Sequence, residues 1–211
     1  MGGIGMNLKI ERFRKYSKLV GLVIKAASIL LWLSVLSGMI GLLYCAVSSE
    51  EDFGVFPAGE GTVYYGLKNS STRYGPLPAP LPDEFSVRGE TLSAIVVSTS
   101  INGLAAYSIH CLVKIFQDAA GEEYTPFSIP TAKRLKRMGI STALIAPVFN
   151  ITNSYALSMM YGVPFQLEIT LGGSPRGYFY LLLPLMGLAL YGVGLIFEYG
   201  IELQLQADET L

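Results

Sequence analysis

The sequence predicts an all-α membrane protein: a four-transmembrane-helix bundle with a small extracytoplasmic cap containing β-strands. Three observations predict it. The 211-residue chain is 51% hydrophobic and only 15% charged, with a mean hydropathy of +0.46, against roughly 25% charge in soluble domains. Four apolar runs are each about as long as the 20 residues that cross a bilayer. Charge is also segregated. Segments 1–18 and 114–139 each carry five Lys or Arg, whereas segment 48–90 carries three and 164–177 only Arg176. By the positive-inside rule both termini are then cytoplasmic, which predicts a multi-pass protein of the cell (plasma) membrane.

Taken in order, residues 1–18 form the basic cytoplasmic N-terminus, with Ile10, Phe13 and Tyr16 spaced as on a surface helix. Residues 19–47 are the first span. Its one charge, Lys25, lies close enough to the inner end to snorkel to the headgroups. The apolar core is too long for a cleaved signal peptide, so the span is expected to remain in the protein. Residues 48–90 form the outer loop and cap. Strands are expected at 62–67 and near 84–88, around Phe85 and Val87, with a turn at Asn69-Ser70-Ser71. The proline-rich stretch 75–82 reads as a stiff extended connector. The second span, 91–115, contains Asn102 and His110.

Residues 116–139 read as a cytoplasmic loop with an amphipathic basic helix. Lys133, Arg134, Lys136 and Arg137 supply its charge, and Ile129, Ala132, Leu135 and Met138 lie three apart on one face. Ser128 suits the N-cap, Pro130 the first turn, and Gly139 an end to the helix or a loosened join to the next. The third span, 140–163, holds Pro147, Asn150, Thr152, Asn153, Ser154 and Tyr155. The outer loop 164–177 contains a strictly alternating stretch at 165–171, expected to pair with a strand from the first loop. The fourth span, 178–199, contains Pro184, and both intramembrane prolines predict kinks. The acidic tail 200–211 is expected to extend the last helix beyond the membrane.

Composition and motifs leave little room for catalysis. No GxSxG, HExxH or phosphate-binding loop occurs. The single histidine, His110, lacks nearby ligands for a metal or haem, so it reads as an interhelical contact. No carboxylate lies within a span away from its ends, which argues against ion-coupled transport. A net charge of −1 argues against direct nucleic-acid binding. Cys45 and Cys111 fall at opposite ends of antiparallel spans, too far apart for a disulfide. The expectation is therefore no enzyme and no cofactor.

Two features have both structural and functional readings. Asn102, Asn150, Asn153 and Tyr155 join helices by hydrogen bonds or line a small polar pocket. The basic helix neutralises anionic lipid headgroups or docks an acidic partner, with the acidic tail as the other half of one cytoplasmic surface. Small-residue stripes at Ser34-x-x-x-Gly38, Ser37-x-x-x-Gly41 and Thr99-x-x-x-Gly103 allow close helix contacts within the chain or in a homodimer.

Two stretches carry a family resemblance. One is Pro126-Phe127 followed by the basic helix ending at Lys133-Arg134-Leu135-Lys136-Arg137-Met138-Gly139. The other is Phe197-Glu198-Tyr199-Gly200-Ile201-Glu202-Leu203-Gln204, then Asp208-Glu209-Thr210. In these the chain resembles a family of bacterial and archaeal four-span membrane proteins described only as a domain of unknown function. Members of that family are often encoded beside a small helix-turn-helix regulator of the Cro/repressor type. The resemblance implies a membrane partner for such a regulator, bound through Phe127, Lys133, Arg134, Lys136, Arg137, Glu198, Glu202, Gln204, Asp208 and Glu209. The expectation is thus a sensor or sequestering protein. The alternative is a transport or lipid-handling protein, or an accessory subunit of a larger membrane complex.

Overall fold

The computed structural model describes residues 3–59, 61–81, 85–121, 128–161 and 175–209, with backbone alone at 3–10, 12, 78, 153, 155–161 and 175–180. The described residues are mostly helical. In chain order they form α1 (Gly3–Val47), β1 (Phe53–Gly59), β2 (Thr62–Leu67), β3 (Tyr74–Pro78), α2 (Val87–Ala119), α3 (Ile129–Tyr161) and α4 (Pro175–Glu209).

Among the described residues, three helical stretches are long and apolar enough to cross a membrane: Phe13–Val47, Val87–Ala119 and Leu181–Glu209. Their large side chains lie outward, with Leu22, Leu30, Leu43, Leu188 and Ile196 all exposed. So much exposed apolar surface fits hydrocarbon rather than water as the solvent. The α3 helix is more polar, with four cations at 133–137 and amides at Asn150 and Asn153.

Several expectations are revised. The basic segment is not a helix of its own: α3 runs unbroken from Ile129 through Gly139 to Tyr161. Its start is as expected, since Ser128 Oγ accepts the Thr131 amide at 3.4 Å and Pro130 occupies the first turn. Ala132 and Met138 are buried, and Ile129, the first residue of α3, is exposed. Among the described residues 85–88 the expected strand does not form, because Val87 opens α2. Ser86 is the cap: its Oγ accepts the Gly89 amide at 3.1 Å and its carbonyl accepts the Glu90 amide at 3.0 Å. Pro147 and Pro184 both lie inside continuous helices. The tail does extend α4, to Glu209. The expected strand at 165–171 and its pairing lie outside the described residues.

Contacts divide the chain into two units: Met1–Leu33 with Gly103–Ala146 and Gly173–Leu211, and Ser34–Asn102 with Pro147–Gly172. The second contains an antiparallel sheet in the order β1-β2-β3. β2 occupies the span expected for a strand, paired with β1 from Phe53↔Leu67 to Gly59↔Thr62. Gly59 and Gly61 make the tight return with φ of +89° and +72°, which side-chain-bearing residues adopt only with strain. The stretch read as a connector supplies β3. Among the described residues β3 is an edge strand, where Pro76 and Pro78 are tolerated because their missing N–H groups break no interior ladder.

The sheet is seated on the helix ends of its own unit. Cys45, Phe53 and Ile95 form a buried cluster against Leu42, Leu67, Tyr74, Val87 and Leu92. Arg88 donates to the Ala46 carbonyl at 3.0 Å, satisfying an orphan acceptor at the end of α1. Tyr65 donates to Glu90 Oε1 at 3.0 Å, tying β2 to the first turn of α2.

In the first unit α3 and α4 meet at bare backbone. A Cβ added to Gly139 would sit 2.6 Å from Gly187 O and from Tyr191 N. One added to Gly187 would sit 2.5 Å from Gly139 O and from Ala143 N. Gly139 therefore marks a close helix crossing and does not end the helix. Ser108 of α2 and Ser141 of α3, both buried, share a hydrogen bond of 2.6 Å.

Candidate functional site

Two places gather the residues singled out from the sequence. The first, in the first unit, is a charged seam on α2, α3 and α4. Lys136 Nζ donates to both carboxylate oxygens of Glu198, at 2.9 and 2.7 Å. The partners are 62 residues apart in the chain, and the pair joins the basic start of α3 to the end of α4. Arg134 pairs with Asp118 at the end of α2 and donates to the Lys114 carbonyl at 3.4 Å. Half of the basic cluster is thus neutralised within the chain. Lys133 and Arg137 remain exposed on α3, as do Glu202, Gln204, Asp208 and Glu209 on α4. Both ion pairs are partly solvated, so each contributes at most about 1 kcal/mol to stability. Phe127 lies outside the described residues.

Of the intramembrane polar residues, His110 is exposed on α2 and makes no interhelical hydrogen bond among the described residues. Asn150 is half-buried on α3, and the side chains of Asn153 and Tyr155 lie outside the described residues. Asn102 does form the interhelical bond expected of it: its Nδ2 donates to Ser34 Oγ on α1 at 2.9 Å. No group of three or more His, Cys, Asp or Glu that could hold a metal occurs among the described residues.

The second place is a cleft of about 420 Å³ in the second unit. It begins at the Asn102–Ser34 bond and continues between α1, with Ser37, Gly38 and Gly41, and α2, with Thr91, Ile95, Ser98 and Thr99. At its other end lie Leu67, Ser70, Thr72 and Tyr74 of the β2–β3 hairpin. From Thr91 to Asn102 is 11 helical steps, about 16 Å at 1.5 Å each. Nine of its 13 lining residues carry a hydroxyl or amide, and none is charged. Thr91 Oγ1 and Ser98 Oγ donate to the Val87 and Ile95 carbonyls and keep their acceptor lone pairs. Thr99 Oγ1 is buried with no partner among the described residues.

The small-residue stripe makes room for this cleft. A Cβ on Gly38 would lie 2.1 Å from Thr99 Oγ1, so α1 and α2 approach closely there. At Gly41 the nearest atoms, of Ile95, stand 3.8 Å away. Burial raises the pKa of the Tyr74 phenol, with Cys45 the second contributor, so its hydroxyl remains a donor at neutral pH. Sequence reading found Asn102 and the stripe. It missed the hairpin's contribution, which depends on chain folding back onto α1 and α2.

Compared with family models, curated proteins and solved structures, the chain matches none.

Proposed function

We propose that this chain is a non-enzymatic, multi-pass protein of the cell membrane that senses or sequesters by holding a cytoplasmic transcriptional regulator. In this reading the helices make four spans, with α3 supplying the third, and both termini are cytoplasmic. The observation that carries it is the Lys136–Glu198 pair, which unites the basic start of α3 and the acidic end of α4 in one charged surface. Lys133 and Arg137 on one helix and Glu202, Asp208 and Glu209 on the other leave that surface with exposed charges of both signs. Partly solvated pairs exchange readily for intermolecular ones, so a partner of complementary charge can dock there. The two stretches that carry the resemblance to a regulator-associated four-span family overlap these same segments in the sequence. The test is purification of the full chain from its native membranes. A small DNA-binding protein should accompany it and be lost when residues 197–211 are deleted. Retention after the deletion, or no such companion with the intact chain, refutes the reading.

A second reading, transport or lipid handling or an accessory role in a larger complex, draws on the uncharged polar cleft between α1, α2 and the hairpin.

A further inference from the structure

We propose that this cleft binds an uncharged, polyhydroxylated molecule, a sugar or polyol, taken up free or as the headgroup of a membrane lipid. The inference stands apart from the regulator reading, because it rests only on the second unit.

The first argument is charge. An ion taken out of water needs a partner, and the lining offers none. The cations nearby in the sequence are already engaged. Arg73 donates to the Leu67 and Thr72 carbonyls, each at 3.1 Å, and to that of Ser70, and stacks 3.7 Å over the Phe56 ring. Arg88 is held by Ala46, and Lys68 donates to the Glu51 carbonyl at 2.6 Å. An anion would therefore enter uncompensated.

The second argument is the kind of polarity. A hydroxyl both donates and accepts, and a wall of hydroxyls is matched by a ligand whose groups do the same. The hydroxyls open to such a ligand are those of Ser37, Thr72 and Ser98, which are exposed, whereas Thr99 Oγ1 is packed against Gly38 of α1. Tyr74 offers a ring at the hairpin end, suited to the apolar face of a sugar.

The third argument is space. Here the direct bond between Asn102 and Ser34 closes one end, and the volume beyond it stays open. A cleft of this size falls within the range of small-molecule sites.

The test uses the full chain in lipid nanodiscs, with binding read by native mass spectrometry and by the shift in melting temperature. Glucose and glycerol probe the free source, a monoglucosyl diacylglycerol the lipid source, and phosphatidylglycerol is the anionic control. Saturable binding of glucose or glycerol, weakened at least tenfold by Ser37→Leu or Ser98→Leu, supports the proposal with a free ligand. Binding of the glycolipid alone, weakened in the same way, supports it with a lipid ligand. Ser37 is exposed on α1, so its variant leaves the buried packing intact. Binding of none of these probes, binding unaffected by both variants, or equal binding of phosphatidylglycerol overturns it.

Discussion

At the scale of single residues, Gly139 and Gly187 have the most sharply defined role. Each faces backbone of the other helix at a distance no Cβ can occupy, and backbone cannot move aside as a side chain does. Gly139→Ala should therefore cost about 1–3 kcal/mol, the range for overpacking a close contact. Gly103→Ala has open space beside it and should be neutral or stabilising by up to about 1 kcal/mol through helix propensity. Unfolding of the two variants in mixed micelles measures the contrast, and equal stabilities would remove the close-crossing account. The sequence showed Gly139 as notable but not why, because a glycine after a basic turn has the same local signature as a terminator or as a notch. The link between Lys136 and Glu198 was legible, since opposite charges on two segments assigned to one side of a membrane attract. The Ser108–Ser141 bond was not, because hydroxyls on different helices leave no mark in local spacing.

At the scale of elements, the helices were legible and the sheet only partly so. Long apolar runs announce helices because every backbone polar group must be satisfied within the segment. β2 was visible through its run of Val and Tyr at 62–67. β1 contains Gly54, Pro57 and Gly59, and β3 contains Pro76 and Pro78, residues that count against a strand unless it lies at an edge. Their strand character comes from pairing with β2, a tertiary effect. The start of α2 is a similar case: Phe85 and Val87 suggested a strand, but Ser86 caps a helix. Ser86→Ala should cost about 1 kcal/mol at that end. Amide exchange at residues 87–91 should then quicken about fivefold; unchanged exchange there would show that the cap contributes nothing.

At the scale of the whole molecule, the four-span reading makes a definite prediction about sidedness. In a Cys45→Ala/Cys111→Ala background, Ser71→Cys should react with an impermeant maleimide added outside intact cells, and Glu202→Cys only after permeabilisation. Both positions are exposed, Ser71 beside the hairpin and Glu202 near the end of α4. Labelling of both from outside would require an even number of crossings between them, and the reverse pattern an inverted chain.

The glycine crossing also has a mechanical consequence. It works as a detent. Shifting α4 along α3 by one turn, about four residues, would bring Leu183 or Tyr191 to the place that Gly187 holds, where even a methyl group lacks room. The Lys136–Glu198 pair, farther along the same two helices, would be pulled out of register by the same stroke. A piston movement of α4 against α3 is thereby blocked, and displacement of either helix moves the two as one lever.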